Sequence, residues 1–314
     1  MDDGPRLGTD RTMEDFAAEV GATGDVGVAG WGTRCPIGDD VDRVVQAPVG
    51  IMRIDAAEMV VECGAGTSTT DLLSALAERG QTVSLPPSGT VGGALAVGHS
   101  DITRLGHGSI RDVLLQARYV SASGHVVKAG GPTVKNVSGF DLCRLLVGSY
   151  GTLGFLGEVI LRTRPLPRHS VWLRREGDPF RLLVDLHRPV SLLWDGTTTW
   201  ARLDGHADDI ADVVARTGLV EVDGPPPLPG PYRWSVAPGE LEATLGADGG
   251  DGDFVAEVGV GIVHHRRPRV RPAPPAPVVE LHRRIKERFD PTGRLNPGVD
   301  PITAGDDASA GASV

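Results

Sequence analysis

The chain has 314 residues, 40% of them hydrophobic and 23% charged, the composition of a globular protein long enough for two domains and a sizeable core. Its formal net charge of -10 argues against DNA, RNA or an anionic membrane surface as partner, because those need clustered Lys and Arg to displace counterions, and it leaves a small organic substrate as the better fit. Cys35, Cys63 and Cys143 stand far apart with no CxxC pair, which excludes a disulfide framework, a cysteine metal site and an iron–sulfur cluster.

In chain order, Thr12 with Asp15 makes a capping pattern, and Met13, Phe16, Ala17 and Val20 recur at helical spacing until Gly21. Residues 25–29 read as a short buried strand running into Gly30-Trp31-Gly32-Thr33. After an extended segment at 51–54, the run 59–63 leads through Gly64-Ala65-Gly66-Thr67 into a helix over 68–79. Ser68 and Asp71 cap it, Leu72, Leu73 and Leu76 form its buried face, and Gly80 supplies the left-handed exit. A turn over 86–93 follows, then strand patterns at 113–120, 125–129 and 155–163. No charged-then-apolar leader pattern is present, and the longest uncharged apolar stretch, 145–157, is cut by glycines and too short to span a bilayer. These features predict a cytoplasmic protein with no direct membrane insertion.

Composition changes after Pro165-Leu166-Pro167. Strand patterns at 171–174, 198–203, 232–236 and 254–263 flank a helix over 207–217, with Ile210, Val213 and Val214 on one face. Proline-rich connectors at 225–231 and 268–277 read as semi-rigid spacers. An amphipathic helix over 278–289 leads into FDPTGRLNPG. The division expected is 1–167, a first α+β unit; 168–277, a small antiparallel cap; 278–302, a returning C-terminal segment; and 303–314, a disordered tail.

Four glycine-bearing segments carry the chemistry. Residues 30–34 can form a nest of converging N–H groups that grips a pyrophosphate, with Thr33 and Arg34 adding donors; read alone, the segment is as well explained by a plain turn. Residues 90–93 make a second turn that could open a helix toward an anion. Neither fits GxGxxG in a strand–turn–helix followed by an acidic residue, which disfavours a nicotinamide Rossmann domain. In His107-Gly108-Ser109-Ile110-Arg111-Asp112, Gly108 permits close approach, Ser109 can bond a ring or phosphate oxygen, and His107 reads either as a ring-edge group or as a solvent-facing loop histidine. The run 135–157, KNVSGFDLCRLLVGSYGTLGFLG, interleaves five glycines with apolar positions, so backbone must approach something large and flat there, and a flavin nucleotide suits.

Taken in order, these segments and FDPTGRLNPG resemble the vanillyl-alcohol oxidase and p-cresol methylhydroxylase (PCMH) type of FAD-binding domain. Within that family they are most similar to the FAD-binding subunits of glycolate oxidase type, for which a KNVxGxDLxRLxVGxxGTLG run is characteristic. The resemblance is dense from Val26 to Pro167 and thins over 168–277. It implies an α+β fold, with a PCMH-type FAD-binding domain of two α+β subdomains followed by a small antiparallel sheet-plus-helix cap. It implies that Gly30, Trp31, Gly32, Thr33 and Arg34 form the pyrophosphate loop and that Thr90, Val91, Gly92 and Gly93 line the other side of the phosphates. His107, Gly108 and Ser109 would approach the flavin ring or ribityl chain, supported by Lys135, Asn136, Gly139 and Asp141. Gly151, Thr152, Gly154 and Leu156 would meet the adenine end, and Asn296 would return to the flavin.

Family members that bind FAD covalently use a His in the pyrophosphate loop or a later Cys. Thr33 stands at the loop position, so the resemblance implies non-covalent FAD. The implied activity is oxidation of a small 2-hydroxy acid, or relay of its electrons beside a larger flavoprotein and iron–sulfur partner subunits. The alternative is a non-catalytic FAD-binding accessory subunit. Complete family enzymes carry a spaced histidine pair and a carboxylate in a larger cap. Here only His264 and His265 are candidates, and adjacent strand residues point to opposite faces, so no metal site is expected. No catalytic base is identified, and Trp194, Trp200 and Trp234 are read as core or as the walls of a substrate slot.

Overall fold

In a computed structural model of the chain, the structure describes residues 10–32, 37, 40–131, 141–248, 253–269 and 273–304. Thr33, Arg34, Cys35, Lys135, Asn136 and Gly139 lie outside the described residues. The fold is α+β. Helix Met13–Val20 begins at a complete capping box between Thr12 and Asp15 and buries Met13, Phe16, Ala17 and Val20. A parallel pair, Val26–Val28 with Arg43–Val45, lies beside it, and Leu295 from the C-terminal segment bridges Val26 on the other side.

Next to this layer is a five-stranded antiparallel sheet in the order Ile51–Asp55, Val60–Gly64, Phe155–Arg162, Leu114–Val120, Val126–Gly130. Its central strand, Phe155–Arg162, is buried at every position but Arg162, so apolar residues run through it without alternation, broken only by Gly157 and by Glu158, which pairs with Arg118. Gly157 in that strand lets the first helix settle on the sheet, since a Cβ there would overlap Met13 Sδ. Helices Thr69–Ala77, Val91–Val97 and Leu142–Leu146 add Leu72, Leu76, Val91, Leu95 and Leu146 to the same core.

The second unit is a seven-stranded sheet in the order Val220–Val222, His169–Glu176, Thr198–Gly205, Ser191–Trp194, Phe254–Glu257, Ile262–His265, Tyr232–Ser235. All its pairings are antiparallel. The single strand read over 254–263 is in fact a hairpin. Gly259 at φ +81° and Gly261 at φ +84° turn the chain, and a Cβ on Gly261 would overlap the Val236 carbonyl. Strand Ser191–Trp194 was not legible in the sequence, being too short to show a period, nor were helices Pro179–Asp185 and Leu241–Asp248, whose apolar residues form no clean stripe. The core of this unit, around Leu173, Leu192, Trp234 and Phe254, is separate from the first.

Helix Ala276–Phe289 returns to the first unit, where Ile285 and Phe289 pack against its core. Among the described residues, no helix is long and apolar enough to cross a membrane.

Candidate cofactor cleft

Four distant stretches converge on one cleft. Gly30, Trp31 and Gly32 form one lip; Thr90, Gly92 and Gly93 form the floor; Gly151, Gly154 and Leu156 line the far wall, and Asn296 closes the end. Beside them lie residues the sequence did not single out, notably Ala65, Gly66, Ser149 and Tyr150. Their signal was faint: Ala65, Gly66 and Ser149 are small residues beside glycines that were already marked, and Tyr150 stands directly before one of them, Gly151. Val91 and Thr152 are buried and do not line the cleft.

Hydrogen bonding separates the lip from the floor. Among the described residues, none accepts a bond from the N–H of Gly30, Trp31 or Gly32. Gly32 has φ +69° and, among the described residues, nothing within 4 Å of where a Cβ would sit. That arrangement of unpaired donors over open space suits an anion. At the floor, by contrast, the helix N-terminus is internally satisfied. Val91 N–H donates to the Thr67 carbonyl at 2.9 Å and Gly92 N–H to the Ala65 carbonyl at 2.6 Å, and Gly93 N–H donates to Thr90 Oγ1 at 3.1 Å. The floor therefore offers close approach rather than donors.

Asn296 does more than reach the cleft. Its Oδ1 accepts from Val28 N–H at 3.1 Å, its Nδ2 donates to the Tyr150 carbonyl at 2.6 Å, and its own N–H donates to the Val26 carbonyl at 2.9 Å. One buried side chain thus ties the strand feeding the lip to the loop of the far wall. Asn296 and Tyr150 both hold positive φ, +44° and +54°, a left-handed conformation that is costly for Tyr and mild for Asn.

Behind Asn296, Asp290 is wholly buried and accepts from Lys286 Nζ at 2.6 Å and Leu295 N–H at 2.8 Å. Lys286 also donates to the Thr152 carbonyl at 2.9 Å. All five N–H groups of Arg294 reach backbone carbonyls, those of Gly24, Gly21, Ala122, Val20 and Thr23. Burial and the neighbouring Arg43 lower the Arg294 guanidinium from its usual value. The FDPTGRLNPG segment is thereby the clamp of the cleft.

The glycines of the 151–157 wall meet protein. A Cβ on Gly151 would lie 2.7 Å from Asn296 Nδ2, and one on Gly154 2.5 Å from Tyr119. Gly30 is likewise pressed against Thr90 Oγ1. Their small size lets the walls form, and only Gly32 among these faces open space.

His107, Gly108 and Ser109 do not line the cleft. Helical turn Arg104–His107 docks on the second unit, where Gly106 N–H donates to the Val190 carbonyl at 3.1 Å. His107 Nε2 lies 3.2 Å from Asp204 Oδ2, with both side chains largely buried. His107 is therefore engaged with the second unit rather than facing solvent. Burial raises the Asp204 carboxyl, but hydrogen bonds from His107 and Ser170 and the nearby Arg202 outweigh it and hold the group below its usual value. Ser109 Oγ accepts from Arg111 N–H, and Asp112 pairs with Arg144.

His264 and His265 point to opposite faces. His264 Nε2 lies 2.9 Å from Glu257 Oε1, while His265 stacks on Trp234 at 4.0 Å between centroids. Trp194 packs edge-on against Phe180 and Phe254. Among the described residues, no group of His, Cys, Asp and Glu could hold a metal ion.

The described lining carries no charged side chain, so an anionic dinucleotide meets unpaired N–H groups and no carboxylate. The residues present fit the adenine-linked flavin that the fold implies. Residues 28–130 match the profile of a family described as FAD binding domain. Its backbone is similar to that of alkyldihydroxyacetonephosphate synthase, at TM-score 0.64 and 14% identity over 91% of this chain and 74% of that one; that likeness shows the fold.

Among curated proteins, the chain is 34% identical over 187 residues to glycolate oxidase subunit GlcE of Escherichia coli (strain K12), covering 56% of this chain and 53% of that protein. It is 36% identical over 122 residues to D-lactate dehydrogenase of Archaeoglobus fulgidus, covering 37% of this chain and 27% of that protein. The chain thus spans about half the length of the first relative or less of the second.

Proposed function

We propose that the protein is an FAD-dependent oxidoreductase acting on a small 2-hydroxy acid. The convergence of the unpaired lip, the floor, the far wall and Asn296 on one uncharged cleft carries this reading, and the names of its relatives support the substrate class. Bound there, FAD supplies the two-electron acceptor. The chain's own part is binding and orientation. The N–H groups of residues 30–32 hold the pyrophosphate. Thr90, Gly92 and Gly93 permit close approach, and Asn296 fixes the two walls relative to each other. Thr33, at the position where covalent family members carry a His, supports non-covalent FAD.

A second reading is favoured by the second unit, whose His264 and His265 diverge and whose described residues hold no metal-capable cluster. There the protein is a cofactor-binding subunit that relays electrons within a complex containing a larger flavoprotein and an iron–sulfur subunit, in the cytoplasm. Anaerobic mixing of the FAD-loaded protein with glycolate or D-lactate separates the two. Bleaching of the flavin band by substrate alone supports turnover; a coloured protein that stays oxidised supports the accessory role.

A further inference from the structure

We propose that Trp31 stacks on a planar ring of the bound dinucleotide and so sets both the affinity and the selectivity of the cleft; this rests on the FAD reading above. Trp31 is 61% exposed, while Trp234 is buried and Trp172, Trp194 and Trp200 are half-buried. Yet Trp31 lines the cleft. The other aromatic lining groups, Tyr150 and Phe155, are 3% and 1% exposed and held in the wall, so Trp31 is the large aromatic side chain of the described lining available to a ligand.

Its surroundings suit a flat guest. The same cleft is lined by Gly92, Gly93 and Ala96 on one helix and by Ala65 and Gly66, a surface almost without side chains. A planar ring there would have a smooth backbone face below and an indole face above. Gly30 is pressed against Thr90, which fixes the backbone just before Trp31 at the lip. Offset stacking of aromatic faces is worth about 0.5–1.5 kcal/mol beyond area burial, so loss of the indole is expected to weaken binding roughly tenfold.

Two rings of the same cofactor offer this chemistry, the isoalloxazine and the adenine. The test titrates flavin-free wild type, Trp31→Phe and Trp31→Ala with FAD, FMN and ADP, reading both the dissociation constant and the quenching of tryptophan emission. The expected result is that FAD binds Trp31→Ala about tenfold more weakly than wild type, that Trp31→Phe retains most of the affinity, and that the ligand-dependent quench shrinks in both variants. Quenching of wild type by FMN assigns the stack to the flavin ring, and quenching by ADP to the adenine. Wild-type affinity and quench in Trp31→Ala overturn the stacking assignment while leaving the FAD reading intact. Failure of wild type to bind FAD at all overturns both.

Discussion

Replacing Asn296 by Ala removes the two side-chain bonds that join the cleft walls, to Val28 N–H and the Tyr150 carbonyl. Each partner is then an unpaired backbone group, and an orphaned buried group costs about 1–3 kcal/mol, so the pair sums to about 2–6 kcal/mol. The Val28 bond is only partly buried, which places the expected loss near the lower end, about 2 kcal/mol. For a chain of this size that corresponds to a fall in Tm of roughly 4–8 °C. The walls lose their shared brace at the same time, so FAD affinity falls as well. Asn296→Asp keeps the acceptor for Val28 but sets a carboxylate oxygen against the Tyr150 carbonyl and a negative charge beside an anionic cofactor. It is therefore predicted to bind FAD more weakly than Asn296→Ala. Thermal melts of the flavin-free proteins and FAD titrations of all three provide the comparison. If Asn296→Ala melts and binds FAD like wild type, the clamp argument is wrong.

Gly151→Ala places a methyl group 2.7 Å from Asn296 Nδ2 at φ +73°, a backbone region that costs an L-residue about 1–2 kcal/mol before any clash; a drop in FAD occupancy of the purified protein, read from its absorbance ratio, is the predicted outcome. Burial, with Glu62 nearby, pushes the Cys63 thiol up to about 12, and burial, with Asp141 nearby, pushes Cys143 up to about 11. Peptide mapping after iodoacetamide treatment at pH 8 should find both unmodified in the native protein and both alkylated in urea. Because these folded-state values lie above the ordinary 9.0, the stability each thiol contributes is whole below about pH 9 and is lost as pH rises through about 11–12, so urea midpoints should fall along that alkaline limb. Asp204 has the opposite sign: its carboxyl is held below the usual value, so its contribution is whole above about pH 4 and lost as pH falls through the lowered value. The difference in melting temperature between wild type and Asp204→Asn should be constant from pH 6 to pH 5 and shrink in stronger acid.

The local signals in the sequence were readable where their partners lie close along the chain. The Thr12–Asp15 capping box and the cap of Ser68 on Asp71 N–H span three residues each, and both were visible in the residue pattern. The glycine turns at 30–32 and 90–93 were legible as turns, but what each glycine faces was not, because the partner is remote. Gly151 meets Asn296, and Gly157 meets Met13. No periodicity reports such contacts. The same limit hid the role of His107, whose partner Asp204 lies 97 residues away. It also hid the second unit's Ser191–Trp194 strand, a four-residue apolar run that carries no period of its own. The hairpin at 254–265 was read as one strand because its two arms share an apolar composition, and the turn depends on Gly259 and Gly261 taking positive φ.

Amide hydrogen exchange of the flavin-free protein, compared with and without FAD, probes the shared cleft most directly. The account predicts that FAD slows exchange together at residues 28–32, in the helix starting at Val91, across 149–156 and around Asn296, with the strands of the seven-stranded sheet distant from the cleft unchanged. Protection confined to one of these stretches, or appearing only in the second unit, would contradict it.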